Sequence, residues 1–489
     1  MKALIHYYIL ILDFCYNCRM LDDKFVSEGK EGVLPRYVLQ ILTLIEEAGY
    51  EAYVVGGAVR DIALGLAPHD FDVASSAFPD EMIDVLSAAG IRYVDMASRH
   101  GTVTAVTSEG NVEITTFRVD GEYSDLRRPD EVSFTRSIEE DVRRRDFTVN
   151  AMYLGRDGSI CDITGGLADL ERGIIRAVGE PEVRFTEDAL RILRGLRFAA
   201  KYGFEIDDKT FEAMEKLAPN LRAVSGERVA EELKGLICAP GASDIIRKAY
   251  RILGVIVPEL ITCHGFEQHS RYHDRDVFEH TLAVLDGIPF RDDVPEGVIP
   301  CRDTELAAAA ILHDLGKPEC FVMNEDGIGH MKGHPEVSRR IASRVLGELK
   351  CPREFTENVT ELVLLHDTFL KPDRYIVHRF MSEYPLSLLS KLAVLQRADI
   401  LAHSEYGQNR MERLDALEKI EAELISEGKV FSIRELEIKG SDLIAEGVPE
   451  GPEVGRVLAE IFDAYMRGEV GNNAEELRTY IREHILTVR

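Results

Sequence analysis

The stretch Val54 to Ser76, VVGGAVRDIALGLAPHDFDVASS, constrains this chain more than any other. Val54 and Val55 read as the end of a buried strand. Gly56 and Gly57 permit a sharp turn and a close approach of backbone to ligand. Ala58 to Leu64 has helical composition, with Arg60 and Asp61 near its start, so its free N–H groups open beside the glycines and favour phosphate. A second strand is expected over Asp70 to Ala74. Spacing i, i+2 on that strand sets the carboxylates of Asp70 and Asp72 on one face. Two acceptor-only groups there suit a hard cation such as Mg2+ that bridges to phosphate oxygens. An acid pair at a strand end is more often merely solvated. The glycine pair, Arg60 and Asp61 at this distance tip the reading towards a metal-and-phosphate site.

Length and charge bound what such a site can serve. The chain has 489 residues, 45% of them apolar, which predicts about three globular domains. A net charge of -28 excludes wholesale coating of nucleic acid but leaves room for a local basic groove. The eight cysteines are scattered, and the CxxC of Cys15 and Cys18 has no second half, so reduced cytosolic thiols are expected. Ala3 to Phe14 is apolar but too short to span a bilayer, and it lacks the marks of a signal peptide. Residues 1–30 therefore read as an extension outside the fold, or as sequence ahead of a start at Met20. The expectations are a cytoplasmic protein, no membrane and no obligatory protein partner.

Periodicity places the head motifs on a small α/β scaffold. Tyr37 to Ala48 and Asp80 to Ala89 have helical spacing and end at Gly49 and Gly90. Thr102–Thr107 with Val112–Arg118, and Ala151–Leu154 with Ser159–Asp162, alternate like hairpins. After about residue 175 strand signals stop and amphipathic helices continue to Arg489.

Holding two metal ions needs a third carboxylate, and Glu113 in VEITTFR is the candidate. The run Arg143-Arg144-Arg145-Asp146-Phe147-Thr148-Val149-Asn150 offers guanidinium forks for triphosphate oxygens, with Asp146 or Asn150 for a ribose hydroxyl. An arginine run alone is usually a solvated face. Asp188, Arg191, Arg194 and Arg197 follow at intervals of three, so neighbours share one side of an expected helix. Asp188 and Arg191 together match the amine donor and ring-nitrogen acceptor that cytosine and adenine share, and they mismatch guanine and uracil.

In this order, GGAVRD, DFD, EITTFR, RRRDFTVNA, DITGGLADL, EDALRILRGLRF and SGERVAEEL resemble the class II tRNA nucleotidyltransferases (CCA-adding enzymes) and their bacterial poly(A) polymerase relatives, over about residues 34–260. The resemblance implies that Gly57 and Arg60 contact the triphosphate and that Asp70 and Asp72 hold Mg2+. It implies that Arg145 joins the nucleotide pocket, and that Asp188, Arg191, Arg194 and Arg197 form a protein template for CTP and ATP. The segment Asp162-Ile163-Thr164-Gly165-Gly166 has Ile-Thr where the family pattern leads one to expect Pro-Phe.

Ten of the fourteen histidines lie between 264 and 403. His-Asp dipeptides are common in this chain, but His313-Asp314 in AAAAILHDLGKP is delivered by an apolar helix into an interior. His280, His334, His366 and Asp399 fall on or at the ends of other expected helices, and converging imidazoles and carboxylates suit a transition metal. The order H…HD…H…H…D, over about residues 270–405, resembles the HD superfamily of metal-dependent phosphohydrolases. That resemblance implies a first metal on His280, His313, Asp314 and Asp399, with His334 and His366 supporting a second.

The expected fold is α+β: a small mixed-sheet nucleotidyltransferase head, an all-helical body and a helical HD domain. The expected divisions are a 1–30 extension, a 31–175 head, a 176–262 template and RNA-binding body, a 263–410 HD domain and a 411–489 helical tail. The expected activity is template-independent addition of CCA to tRNA from CTP and ATP. Mg2+ would serve at the head and Mn, Ni, Co or Fe at the HD site, where 2′-phosphates or cyclic phosphates at RNA ends would be removed. The rivals are a poly(A) polymerase or A-only enzyme, and a phosphohydrolase whose head only senses nucleotide.

Overall fold

A computed structural model describes residues 34–97, 101–120 and 132–486. The expectations for residues 1–30, and for Cys15 and Cys18, lie outside them. The chain forms two compact units. The first comprises the described residues up to Ile261 together with Phe290–Thr304 and Glu348–Lys350. The second comprises Thr262–Pro289, Glu305–Gly347 and the chain from Cys351.

The first unit opens on the helix Arg36–Glu47, whose Val38, Ile41, Leu42 and Ile45 repeat at helical spacing and are buried. The strands that follow are β1 (Ala52–Val55), β2 (Asp72–Ser75), β3 (Arg92–Ala97), β4 (Thr102–Val106), β5 (Asn111–Thr116), β6 (Arg118–Asp120), β7 (Val132–Phe134), β8 (Met152–Leu154) and β9 (Ile160–Asp162). Seven of them form one sheet in the order β3-β4-β5-β2-β1-β8-β9, while β6 and β7 make a separate ribbon. All neighbours in the large sheet run antiparallel except β2 and β5, which are parallel. Strict alternation buries Val103, Ala105, Val112 and Ile114 and leaves Glu113 on the open face.

Three expectations need correcting here. The strand is Asp72–Ser75, not Asp70–Ala74, so Asp70 precedes the strand and the i, i+2 argument does not place it. The motif EDALRILRGLR is not one helix either. Pro181–Glu187 and Leu190–Tyr202 are separate helices, with Asp188 extended between them at φ -141° and ψ 103°. Strands also persist beyond residue 175, as short pairs Ile174–Ile175 with Glu205–Ile206 and Val322–Met323 with Gly329–His330.

The helix Leu190–Tyr202 is the hub of the helical part of this unit. It buries Leu190, Ile192, Leu193, Leu196, Phe198, Ala199 and Ala200 against the helices Gly226–Ile237 and Ala242–Leu253. Gly195 allows close packing, because a Cβ there would lie 2.4 Å from the Met214 side chain.

The second unit is helical. Val277–Gly287 packs along Leu386–Ala402, and Arg353–Leu365 packs on the latter. A tail core of Leu436, Leu443, Val457, Ile461, Leu477 and Ile481 closes the chain. Among the described residues no helix is long and apolar enough to cross a membrane.

Candidate functional site

The head site is built where β1 ends and the parallel strands β2 and β5 begin. Gly56 has φ 70° and ψ -132°, a left-handed conformation that favours glycine, and the helix Gly57–Ala63 starts directly after it. Asp72 pairs with Val55 on one side and with Glu113 on the other. Directly paired residues share a sheet face, so Asp72 and Glu113 stand side by side. Asp72 reaches solvent at the strand start. The protein surface behind it, the like charge of Asp70 and then that of Glu113 push its carboxyl up to about 6, and Arg145 opposes them. A carboxylate crowded by two like charges fits a divalent cation, which would relieve that repulsion.

Arg145 is held for this position. Its Nε donates to the Tyr153 hydroxyl at 2.8 Å and Nη2 donates to Asp141 at 3.1 Å, while its guanidinium lies 4.7 Å from the centre of the Tyr153 ring. Asp141, fully buried, also takes the Tyr153 O–H at 2.6 Å. Burial pushes the Asp141 carboxyl up, but Arg144, Arg145 and the Tyr153 hydroxyl outweigh it, and it stays below the usual carboxylate range.

Arg60, expected at the triphosphate, is turned inward instead. It is 5% exposed, and it donates from Nε and Nη2 to Asp61 at 2.9 and 2.8 Å and from Nη1 to Asn150 at 2.6 Å. Tyr202 also donates to Asp61, at 2.9 Å. These bonds tie the glycine turn to the helix Leu190–Tyr202, so Arg60 and Asp61 brace the loop. Asn150 passes the link to Asp146 through a 3.2 Å hydrogen bond, and Arg194 donates to Asp146 at 3.0 Å. Burial raises the Asp146 carboxyl, yet Arg194 and Arg191 hold it below its ordinary value.

The expected base-reading pair is not joined. Asp188 accepts from Arg228 at 2.7 Å and from the Leu190 N–H at 3.0 Å. Arg191 donates to Glu187 at 2.6 Å and to the Arg144 carbonyl at 2.8 Å. Arg197 and Arg194 share Glu232, at 2.5 and 3.5 Å. Of the residues that fix this row, Glu187 and Glu232 with Asp141 and Tyr153 were not assigned a role from sequence. SGERVAEEL, which contains Arg228 and Glu232, was the available signal.

The histidine cluster lies wholly within the second unit. Asp314, 1% exposed, has His313 Nε2 at 3.1 Å, His334 Nε2 at 3.2 Å, His280 Nε2 at 3.4 Å and His366 Nε2 at 3.6 Å. Asp399 meets His280 at 2.9 Å and His313 at 3.8 Å. His313, His334 and His366 each point Nδ1 at the carbonyl three residues earlier, at 2.8, 2.9 and 2.6 Å. With Nδ1 donating, each Nε2 presents a lone pair to the centre, an orientation that metal-binding histidines use. The Nε2 atoms of His334 and His366 are 3.1 Å apart, a distance that either a proton on one ring or a cation between the two satisfies. His313 Nε2 and both Asp314 oxygens are buried without a well-aligned hydrogen bond. Six predicted side chains thus converge, and their donor set fits a divalent transition metal. Two further histidines were missed: the rings of His273 and His403 lie 4.9 and 5.3 Å from that of His280. Lys317 also intrudes, with Nζ 2.6 Å from Asp314 and 3.0 Å from Gln268. A cavity of about 790 Å³ opens over the cluster.

Family comparison matches residues 52–176 to the "Poly A polymerase head domain" and residues 203–262 to the "Probable RNA and SrmB- binding site of polymerase A". Residues 334–481 match a tRNA nucleotidyltransferase domain 2 profile. The chain is 32% identical over 446 residues to the CCA-adding enzyme of Leuconostoc mesenteroides, covering 91% of this chain and 95% of that enzyme. It is 33% identical over 452 residues to the CCA-adding enzyme of Streptococcus pyogenes, covering 92% and 97%. The Bacillus stearothermophilus CCA-adding enzyme in complex with CTP superposes with a TM-score of 0.66 at 28% identity, covering 92% of this chain and 97% of that one. The Thermotoga maritima CCA-adding enzyme complexed with tRNA shares the fold, with a TM-score of 0.59 at 19% identity over 94% and 97% of the two chains.

Proposed function

The chain belongs to the CCA-adding enzymes and is a tRNA 3′-end nucleotidyltransferase; from that premise we propose that it adds CCA from CTP and ATP at the open end of β1, β2 and β5. The observation that carries this reading is the register that sets Asp72 beside Glu113 next to the Gly56–Gly57 turn. Enzymes of this family use a divalent ion, typically Mg2+. Asp70, Asp72 and Glu113 are the residues that would hold it, and when bound it supplies charge stabilisation for attack and departure. The RNA 3′-hydroxyl attacks the α-phosphorus of the incoming nucleotide, and pyrophosphate leaves. Arg145, fixed by Asp141 and Tyr153, faces this centre and offsets the charge of the triphosphate. The Gly56–Gly57 backbone approaches the phosphates, while Arg60 and Asp61 keep that turn in shape.

Base selection follows from partner exchange. The exocyclic amine of cytosine or adenine takes the place of Arg228 on Asp188, and Arg191 leaves Glu187 for the ring nitrogen. Arg194 and Arg197 hold the neighbouring acids in place. Incubation with a tRNA ending at the discriminator base tests this reading: two C residues and one A, then arrest, are expected. Addition of A alone, or unlimited A on a generic RNA primer, would show an A-only enzyme or a poly(A) polymerase instead.

For the second unit we propose an HD-type metal-dependent phosphohydrolase acting on phosphates at RNA 3′ ends. His280, His313, Asp314, His334, His366 and Asp399 would hold Mn, Ni, Co or Fe, which when bound activates water towards phosphorus. Metal analysis of the purified chain and hydrolysis of bis-p-nitrophenyl phosphate test it. Absence of both bound metal and hydrolysis, with each of the four ions supplied, refutes it.

A further inference from the structure

Beside the histidine cluster the cavity mouth is lined by alternating planar cations and aromatic rings. His269, in the left-handed region at φ 48°, turns the chain so that Ser270 to His273 edge the cavity. His273 points at the buried imidazoles, with its ring 4.6 Å from that of His403. Its neighbour Tyr272 sits at the mouth and meets Tyr406 edge to face, ring centres 5.1 Å apart at 69°. The Arg271 guanidinium lies 4.2 Å from the centre of the Tyr406 ring, and that of Arg410 lies 5.1 Å from Tyr272 and 4.9 Å from Phe369. Phe369, Arg410, Tyr272, Arg271 and Tyr406 therefore form one continuous series.

Holding the two loops together does not require these side chains. Backbone already does so: Ser404 donates its N–H to the Tyr272 carbonyl at 2.9 Å and its hydroxyl to the Arg271 carbonyl at 2.7 Å. Gly407 packs so tightly that a Cβ there would lie 2.9 Å from the Tyr272 carbonyl. Arg271 and Tyr406 are exposed, Tyr406 to 43%, while Tyr272 and Arg410 are half-buried and Arg410 also meets Asp367 at 3.3 Å. Aromatic faces and arginine planes are the surfaces on which unpaired bases stack, whatever their sequence. The cavity lining holds Lys317 paired with Asp314 and Arg410 paired with Asp367, so Arg271 and Lys332 are the cations that meet an entering anion.

We propose that Tyr272, Tyr406, Arg271 and Arg410 form a nucleobase platform, and that the cavity takes a phosphate carried by a nucleoside and not a base-free phosphate ester. This rests on the phosphohydrolase reading of the second unit, whose substrate class it narrows. A nucleoside phosphate of this kind comes either from a free mononucleotide or from an RNA terminus.

Photo-labelling the full-length chain with 8-azidoadenosine 5′-monophosphate, with EDTA and then with Mn2+, tests base binding without turnover. An adduct on the tryptic peptide 398–410, which contains Tyr406, or on 272–275, which contains Tyr272, is expected under both conditions. Adenosine 2′-monophosphate should compete for it, and glycerol 2-phosphate at the same concentration should not. Competition by a short RNA with a 3′-terminal phosphate at tenfold lower concentration would assign the platform to RNA ends. Equal or weaker competition by the RNA would assign it to free nucleotides. In turnover, Tyr272→Leu and Tyr406→Leu should lower the ratio of kcat/KM for adenosine 2′-monophosphate over p-nitrophenyl phosphate at least tenfold, mainly through KM, and Tyr272→Trp should restore it. Labels confined to peptides before residue 262, or an unchanged ratio, overturn the platform. A chain that hydrolyses neither substrate with any of the four metals refutes the hydrolase reading, while the labelling result still decides the platform.

Discussion

Asp72 stands exposed at the start of its strand with two like charges beside it, whereas Asp314 is buried among four imidazoles and the Lys317 ammonium. Both are carboxylates in metal-competent groups, yet the protein treats them in opposite ways. At the head, Asp70 and Glu113 crowd Asp72 with like charge at the protein surface, so an ion there would be held weakly until triphosphate oxygens completed its shell. In the histidine cluster three Nδ1–H groups are already spent on backbone carbonyls, so ligand orientation is fixed before an ion arrives. On the proposed reading the head would take a hard cation that comes and goes with each nucleotide, and the cluster a softer one that stays.

The sharpest way to break this contrast is to remove one carboxylate from each side. Asp72→Asn should reduce CTP incorporation about a thousandfold or more, since the lost charge stabilisation amounts to several kcal/mol. Mn2+-dependent hydrolysis by the same protein should persist. If the two activities fall together, the units do not hold separate centres. His366→Ala should come next in size. Metal retained after dialysis should drop at least about a hundredfold in affinity, because the variant removes an oriented ligand. A plasma-emission measurement of bound metal reads this without any assay of activity, and a metal content equal to wild type would move His366 out of the ligand set.

Smaller, but more specific to the head, is a pH effect. Asp72 must be ionised to hold a cation, and its carboxyl lies near 6, above the ordinary value of 3.8. The Mg2+ concentration giving half-maximal CTP incorporation should therefore be flat above about pH 7 and rise as pH falls through 6, approaching about tenfold per unit below it. Glu113→Gln removes one of the two like charges and should move that inflection to lower pH. An unchanged inflection with unaltered activity would exclude Glu113 as the third carboxylate.

Local chemistry was readable from sequence, and register was not. The glycine turn and the His313-Asp314 pair depend on contiguous residues, which a pattern can carry. The neighbourhood of Asp72 and Glu113 depends on a parallel pairing across the whole of β3 and β4, and β3 itself was missed. As an edge strand it leaves Tyr93 and Val94 exposed, so its sequence RYVDMA lacks clean alternation. The break at Asp188 illustrates the opposite error, in which periodicity was extended through a residue that prefers helix ends. The Asp188 carboxylate takes the Leu190 N–H and so competes with helix continuation. The partners of Arg194 and Arg197 were out of reach because Glu232 lies 38 and 35 residues away.

The smallest expected effect asks whether the head is as rigidly prepared as the histidine cluster. Tyr153 is fully buried, gives its O–H to Asp141 and takes the Arg145 Nε–H. Tyr153→Phe deletes both bonds at nearly constant volume. Asp141 keeps Arg144, and Arg145 keeps its second contact to Asp141. The stability cost should therefore be near the low end for hydrogen bonds to charged groups, about 1.5 kcal/mol, seen as a drop of a few degrees in the first thermal transition. The functional consequence should exceed the structural one. Without its tether, Arg145 no longer has a single position against the triphosphate, so KM for CTP should rise severalfold with little change in kcat. A change in stability with KM unaltered would mean that Arg145 is held in place by Asp141 alone, and that the buried tyrosine serves the core and not the nucleotide.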